Sequence, residues 1–309
     1  MAEGSKRPLK VGLYIPNGDG YMSGSINHWS DVIAMAKAAE DAGFDSVWVA
    51  DHMLFRYEGD TTTQSRWECW SLLAGLAAAT SRVEIGPLVS CMSFRNPGLL
   101  AKIAETVDDM SNGRLILAVG AGWHEPEYTA YGFPYDHRAS RFEEGFTILH
   151  DLMRTGRSDF KGKYYEVDDC VVLPRGPRPN NIPLVVGTNG ERLLKLTAKY
   201  ADGWNTTWLV DPDELDPLKE LVDAACDAVG RDPLTLDRSA CIYLDMPDHV
   251  GRFPRLGFVP PPARSHEGNA EMLHKWAEKG LNHVMIWLDP NTPAGVTEFA
   301  KTLEILDRG

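Results

Sequence analysis

The chain has 309 residues, of which 43% are hydrophobic and 24% are charged, and its formal net charge at pH 7 is −13. This composition allows a large buried core and excludes disorder as the main state of the chain. The negative charge argues against a protein that binds nucleic acid or an anionic membrane, because phosphate groups need a positive field.

The sequence carries no targeting or membrane signal. Its first ten residues, MAEGSKRPLK, lack the apolar segment of a secretory signal. No run of apolar residues is long enough to predict a transmembrane helix. The five cysteines stand singly and without CxxC spacing, which argues against a disulfide framework and a structural zinc site. We therefore expect a soluble, cytoplasmic protein without a metal.

Short β-branched or aromatic segments alternate along the chain with longer segments of helical spacing. Continuous apolar runs are typical of strands buried in a parallel sheet. Eight strands are predicted, at 11–15, 46–50, 83–90, 114–120, 183–187, 202–208, 239–244 and 283–288. Each precedes a predicted helix, at 28–42, 66–79, 97–110, 138–154, 190–201, 212–229, 267–279 and 294–307. Eight such units predict an α/β fold, a (β/α)₈ (TIM) barrel with insertions.

Two segments interrupt this alternation. Residues 156–182 predict a hairpin-like excursion followed by a loop. Residues 246–268 hold five prolines and three glycines, and predict a lid or binding loop over the carboxyl-terminal face of the barrel, with a plain surface loop as the alternative. No linker or internal repeat is evident, so we predict a single domain over residues 1–309.

Ligands of such barrels contact the carboxyl ends of the strands and the loops that follow them. The predicted strand ends are rich in glycine, small polar groups, tryptophan and histidine: Asp51-His52, Leu88 to Cys91, Gly120 to Glu125, Gly187 to Gly190 and Asn205 to Trp208. The sequence lacks HxH, HExxH, GxSxG and a complete GxGxxG motif, which disfavours a metal-dependent barrel hydrolase and acyl transfer. The residues at the predicted strand ends suit a flat aromatic cofactor with a phosphate tail.

Two of these groups have a direct chemical use. His52 follows a strand and is a candidate acid–base group, because an imidazole can move a proton to or from a ligand near neutral pH; a structural histidine is the alternative. Gly187 to Gly190 opens a predicted helix whose free N–H groups favour a phosphate, and Arg192 lies one turn inside it. An ordinary glycine-containing turn is the alternative there. Because the net charge is −13, an anionic cofactor would depend on these local groups.

Three segments of the chain resemble the luciferase-like flavin-dependent oxidoreductases. They are AAEDAGFDSVWVADHM at 38–53, the segment at 93–134 that contains GAGWHEPEY, and IPLVVGTNGERLLKLTAKYADGWN at 182–205. The resemblance runs from about residue 10 to residue 210. It implies the same barrel and a monooxygenase that uses reduced FMN and O₂. The alternatives are an oxidoreductase that transfers hydride with the deazaflavin F420, and a non-catalytic flavin-binding homologue.

Carried over residue by residue, the resemblance implies roles for the strand-end residues. His52 is the implied acid–base residue, and Asp51 before it is an implied cofactor-binding residue. The cofactor ring would lie against the bulge formed by Leu88, Val89, Ser90 and Cys91, where family members often hold a non-proline cis peptide bond. Gly120, Gly122 and Trp123 would flank the ring, and Gly187, Thr188, Asn189 and Gly190 would bind the phosphate.

The resemblance also bears on the substrate and the partners. The branch that oxidises sugar phosphates carries Glu where this chain has Trp123, and a Trp where it has Met53-Leu54-Phe55. We therefore expect a small organic substrate that is apolar or aromatic, near Trp123, Phe55 and Tyr57. The family further implies a separate flavin reductase if FMN is used, and a homodimer formed through barrel helices.

Overall fold

The computed structural model describes residues 7–19, 28–59, 62–246 and 264–309. Most of the predicted excursion at 246–268 therefore lies outside the described residues. In these ranges the strands are β1 (Lys10–Tyr14), β2 (Ser46–Val49), β3 (Leu54–Phe55), β4 (Gln64–Ser65), β5 (Glu84–Pro87), β6 (Ser90–Cys91), β7 (Leu117–Gly120), β8 (Arg157–Lys161), β9 (Glu166–Val171), β10 (Leu184–Gly187), β11 (Gly203–Leu209), β12 (Asp237–Asp245) and β13 (His283–Asp289). The α-helices are α1 (Trp29–Ala42), α2 (Cys69–Ala79), α3 (Pro97–Met110), α4 (Glu125–Tyr131), α5 (Arg138–Thr155), α6 (Glu191–Tyr200), α7 (Leu215–Ala228), α8 (His266–Glu278) and α9 (Pro293–Arg308).

One parallel sheet forms the centre of the molecule. Its order is β5-β2-β1-β13-β12-β11-β10-β7-β6. The two ends of this sheet approach each other through a parallel bridge between Ile85 and Leu115, supported by the N–H of Ile116, which donates to the carbonyl of Ile85 at 2.9 Å. The predicted strands all lie in this sheet and the predicted helices follow them, which confirms the predicted (β/α)₈ barrel.

The helix boundaries follow from their capping residues. Asn96 accepts the N–H groups of Gly98 and Leu99, and Pro97 takes the first position of α3, as predicted. Helix α2 begins at residue 69 and not at 66, because the Glu68 carboxylate accepts the N–H groups at the start of the helix. No described helix has both the length and the hydropathy of a membrane span.

Three insertions add elements to the (β/α)₈ barrel. Strands β8 and β9 pair antiparallel after α5, which confirms the hairpin predicted within 156–182. The small hairpin of β3 and β4 follows β2, and the short helix α4 follows β7. Neither of these two elements was predicted from the sequence, although both lie beside the candidate site.

The indole of Trp48 packs inside the barrel against glycines of the two neighbouring strands. A Cβ at Gly12 would lie 2.7 Å from Nε1 of Trp48, and one at Gly86 would lie 2.5 Å from a carbon of the same ring. Neighbouring strands therefore need glycine opposite this large side chain. Trp48 Nε1 donates to Ser46 Oγ at 2.7 Å, and that oxygen lies 2.7 Å from Nε2 of His283.

His283 makes the stability of the fold dependent on pH. Burial, with a smaller contribution from the Lys10 charge, lowers the pKa of His283 to about 3. The native state thus binds fewer protons than the unfolded state between about pH 6.5 and pH 3, so stability is lost as the pH falls through this window. From pH 7 to pH 5, this residue is expected to lower the free energy of unfolding by about 2 kcal/mol.

Urea unfolding of the wild type and of His283→Gln at both pH values measures this effect. The variant cannot titrate at this position, so its loss of stability between the two pH values is expected to be smaller by that amount. Equal losses in the two proteins would contradict the assignment.

Candidate functional site

A cavity of about 380 Å³ opens where β2, β5, β7, β10 and β11 end at the carboxyl side of the barrel. Most of the residues predicted for the site line it: Asp51, His52, Leu88, Val89, Cys91, Gly120, Gly122, Trp123, Gly187, Thr188 and Asn189. Ser90, Gly190 and Arg192 do not line this cavity. The volume lies within the range of about 300–1,000 Å³ that is usual for small-ligand sites.

Val89 forms the floor of this cavity. The peptide bond between Leu88 and Val89 is cis. The Val89 side chain packs between two glycines, because a Cβ at Gly120 would lie 2.7 Å, and one at Gly187 3.0 Å, from its Cγ2. The absence of side chains at Gly120 and Gly187 makes room for the Val89 methyl groups at the cavity wall. An apolar side chain in this position suits contact with the face of a planar ring.

Asp51 organises the bulge beneath the cavity. Its carboxylate, 1% exposed, accepts hydrogen bonds from Arg95 at 2.6 and 3.0 Å, from the N–H of Cys91 at 2.9 Å and from the hydroxyl of Ser90 at 3.1 Å. Trp70 Nε1 in turn donates to Ser90 Oγ at 3.0 Å. These contacts tie the end of β2 to β6, so Ser90 supports the cavity from behind its wall.

Cys91 is a neutral thiol in this wall. Burial raises its pKa to about 12. Its Sγ lies 3.0 Å from the hydroxyl of Tyr128, which donates to the carbonyl of Ala121 at 3.0 Å. Gly122 has φ +75°, and a Cβ there would collide with the Tyr128 hydroxyl. A nucleophilic role for Cys91 is therefore disfavoured, since the thiolate is the reactive form.

His52 is held by a residue that the sequence analysis missed. Its Nδ1 lies 2.9 Å from Oε1 of Glu127, and the second oxygen of that carboxylate accepts the N–H of Met53 at 2.8 Å. Both His52 and Glu127 line the cavity. Pro126, with an acidic residue on each side, is typical of the start of a helix and is the sequence signal that indicates α4. The contact with the end of β2, however, follows only from the tertiary fold.

An aromatic cluster lies beside His52 at one side of the cavity. Phe55 contacts the His52 ring at a centroid distance of 4.3 Å and stacks parallel on Tyr57 at 5.7 Å. Trp123 lies 5.9 Å from Phe55 and is 55% exposed. His124 packs against the Phe55 ring, and its Nε2 accepts the N–H of Arg56 at 3.1 Å. An exposed indole at the wall of a cavity is available to contact a ligand.

The turn from β10 into α6 supplies a polar side of the cavity. Thr188 Oγ1 accepts the N–H of Gly190, the N-cap residue of α6, at 3.2 Å. Arg192 points elsewhere: its Nε donates to the Glu143 carboxylate on α5 at 2.6 Å. The helix N-terminus is therefore placed as predicted, whereas the Arg192 guanidinium is already occupied.

Strand β11 adds wall residues that the sequence analysis noted only as a strand end. Asn205, Thr206 and Trp208 line the cavity. Within the described residues, neither Oδ1 of Asn205 nor Oγ1 of Thr206, both buried, has a hydrogen-bond partner. Buried polar atoms normally have partners, so a bound ligand or ordered water would complete this wall. The described part of the chain contains no cluster of three or more His, Cys, Asp or Glu side chains suited to a metal.

The chain is similar in sequence to known monooxygenases. It is 31% identical over 244 residues to the pyrimidine monooxygenase RutA of Caulobacter segnis, covering 72% of this chain and 66% of that protein. The enzyme of the same name from Yersinia enterocolitica is 32% identical over 244 residues, covering 72% of this chain and 64% of that protein. The matched segment thus spans just under two thirds of the length of these relatives.

Solved structures share the fold. An F420-dependent secondary alcohol dehydrogenase, in complex with an F420–acetone adduct, superimposes with a TM-score of 0.80 at 22% identity, covering 96% of this chain and 99% of that chain. The profile of the luciferase-like monooxygenase family matches residues 9–244. The barrel, the cavity at its carboxyl face and this match agree with the resemblance noted in the sequence, and the chain belongs to the luciferase-like monooxygenase family.

Proposed function

We propose that the protein is a flavin-dependent monooxygenase that uses reduced FMN and O₂ to oxygenate a small organic substrate. The observation that carries this proposal is the cavity at the carboxyl face of the barrel, where Val89 lies between Gly120 and Gly187 and His52 is in the wall. When bound there, reduced FMN would supply the activation of oxygen. The protein would bind and orient the ring, exclude water and manage protons at the cavity wall.

The residues of the cavity fit such a cofactor. A planar ring would lie on Val89, and the unpartnered oxygens of Asn205 and Thr206 offer hydrogen bonds to a polar ligand. The phosphate would lie near Thr188 and Asn189, where the N-terminus of α6 favours an anion. In this arrangement backbone N–H groups, and not Arg192, offset the unfavourable net charge of the chain.

His52 is the acid–base residue of this proposal. It lines the cavity, and an imidazole exchanges protons readily near neutral pH.

A non-catalytic flavin-binding homologue remains the lower alternative. That alternative predicts cofactor binding with no turnover of any substrate.

A second candidate is an F420-dependent oxidoreductase that transfers hydride. The likeness of the fold to an F420-dependent alcohol dehydrogenase favours it, whereas the relatives named as monooxygenases favour FMN. The two functions differ in whether an oxygen atom from O₂ enters the product, because hydride transfer adds none. With a flavin reductase supplying reduced FMN under ¹⁸O₂, we expect ¹⁸O in the product. Turnover of substrate with reduced or oxidised F420 in the absence of O₂, and none with FMN, would establish the second candidate.

The aromatic cluster supports a planar, apolar or aromatic substrate. Trp123, which lines the cavity, is the residue expected to contact the substrate. Phe55 is buried behind it, and neither Phe55 nor Tyr57 lines the cavity, so the two rings back the indole instead of meeting the substrate. Pyrimidines belong in the first substrate panel, since the relatives are named for them. Trp123→Ala is expected to raise KM for an aromatic substrate about tenfold, because a stacking contact contributes about 0.5–1.5 kcal/mol beyond the buried area.

Steady-state kinetics of wild type and Trp123→Ala test this prediction, with Tyr131→Ala as the control for loss of an exposed aromatic side chain on α4. An unchanged KM for every aromatic substrate, or turnover confined to sugar phosphates, would contradict it.

We further propose a cytoplasmic, single-domain protein that forms a homodimer and works with a separate flavin reductase. Exposed apolar side chains on and beside α2 and α3, namely Trp67, Leu99 and Met110, support the proposed dimer face. Light scattering of the purified protein distinguishes a dimer from a monomer. Leu99→Glu is expected to shift the species towards the monomer if these helices form the interface.

A further inference from the structure

Glu127 is a buried carboxylate that α4 carries into the wall of the cavity. Its side chain is 1% exposed, and both oxygens are engaged, one by His52 Nδ1 at 2.9 Å and one by the N–H of Met53 at 2.8 Å. In the part of the chain that the structure describes, no Arg or Lys forms an ion pair with it. A buried carboxylate without such a cation needs hydrogen-bond donors. Both of its neighbours must therefore present a proton.

This requirement decides which ring nitrogen of His52 carries the proton in the neutral imidazole. A carboxylate only accepts hydrogen bonds, so Nδ1 is protonated and Nε2 keeps its lone pair. Nε2 makes no hydrogen bond to any described residue. Phe55 and Trp123, at centroid distances of 4.3 and 5.8 Å, restrict rotation of the ring. These contacts favour one orientation of His52, and the Glu127 carboxylate favours one tautomer.

Two other ionisable side chains near His52 and Glu127 have partners of their own. His124 Nε2 accepts the N–H of Arg56 at 3.1 Å. The carboxylate of Asp51, next to His52 in the sequence, is engaged by Arg95, Ser90 and the N–H of Cys91. Among the described residues, Glu127 is the carboxylate that contacts the His52 ring.

We propose that Glu127 is a positioning residue that holds His52 as the Nδ1-protonated tautomer, so that Nε2 is the nitrogen that accepts a proton from a ligand. In that step an N–H bond forms at Nε2 while the O–H or N–H bond of the ligand breaks, and its electron pair stays on the ligand. Glu127 then stabilises the positive charge on the ring. The tautomer follows from this chain alone, whereas its use in catalysis rests on the proposed function.

The tautomer can be measured in the full chain without cofactor. ¹⁵N NMR of protein labelled in the imidazole rings, at a pH where the rings are neutral, separates protonated from unprotonated nitrogens, and the loss of signals in His52→Gln assigns His52. We expect Nδ1 protonated and Nε2 unprotonated in the wild type, and a mixture of tautomers in Glu127→Leu. Glu125→Gln, an exposed acid on the same helix, is the matched control and is expected to keep the wild-type pattern. Protonation at Nε2 in the wild type, or the same tautomer in Glu127→Leu, would overturn the proposal.

A second variant, Glu127→Gln, keeps the proposal testable if Glu127→Leu does not fold. Glu127→Gln keeps the size of the side chain, but its amide offers one acceptor to two donors, so it cannot satisfy both His52 and Met53. If Glu127→Leu fails to fold, the shift in tautomer is expected in Glu127→Gln, and its absence there overturns the proposal.

Kinetics separate this inference from the proposed function. Both Glu127 variants are expected to lose at least about tenfold in kcat, while the Kd for FMN changes less than about twofold. If the wild type shows the expected tautomer but turns over no substrate, the proposed function fails and the positioning of His52 stands. If kcat is unchanged while the tautomer shifts, the catalytic use of the positioning is wrong.

Discussion

Replacing His52 with alanine is expected to lower kcat by about 10²–10⁴-fold, the usual contribution of a positioned acid–base group. The affinity for cofactor is expected to change little, because the floor at Val89 and the turn at Thr188 are untouched. The free energy of unfolding is expected to fall by about 1–3 kcal/mol, since the buried Glu127 carboxylate loses the Nδ1 donor of His52. Loss of turnover in a folded variant that keeps its affinity for cofactor would distinguish a chemical role from a structural one.

The measurement is a comparison of kcat, the Kd for FMN and the free energy of unfolding for wild type and His52→Ala. His137→Asn provides a control, because His137 is exposed and its φ of +53° is one that asparagine adopts readily. An alanine variant that retains full turnover would show that His52 moves no proton. A wild type that binds cofactor but turns over nothing would favour the non-catalytic alternative.

Asp51→Ala is expected to lower the free energy of unfolding by about 3–5 kcal/mol. Breaking a buried ion pair leaves an uncompensated charge, and here the nearly buried Arg95 guanidinium loses its bidentate partner. The N–H of Cys91 and the hydroxyl of Ser90 lose their acceptor as well. Glu68 also contacts Arg95 but is more exposed, so it compensates only in part.

Urea unfolding measures this effect, with the exposed Asp41→Ala as the control for loss of an aspartate. The double variant Asp51→Ala, Arg95→Met is expected to recover part of the lost stability, because it removes the unpaired cation. An exposed ion pair contributes less than about 1 kcal/mol to stability. A loss of that size in Asp51→Ala would therefore contradict the importance of this network.

The barrel was predictable because its signals are local. Most of the buried strands contain a continuous apolar run, and capping residues such as Asn96 and Gly43 mark helix ends within a few residues of sequence. The strand ends were also predictable, since a parallel barrel gathers them at one face. Most of the residues proposed for the site therefore line one cavity.

The rest of the site depends on contacts between distant segments. Glu127 meets His52 across 75 positions, and Arg192 meets Glu143 across 49. No local pattern shows that the Glu127 carboxylate turns towards the cavity, or that the Glu143 carboxylate holds Arg192 away from it. The same holds for Asp51, whose role follows from Arg95, 44 positions further along the chain.

The central claim, that the cavity beside His52 binds FMN, is tested most directly by titrating the purified protein with FMN and F420 in parallel. We expect saturable binding of FMN with one molecule per chain, and loss of that binding in a folded Gly187→Val variant, whose side chain would crowd Val89 on the floor. Binding of neither cofactor, or equal binding by Gly187→Val, would contradict the assignment of the cavity. Tight binding of F420 with none of FMN would keep the cavity but contradict the monooxygenase.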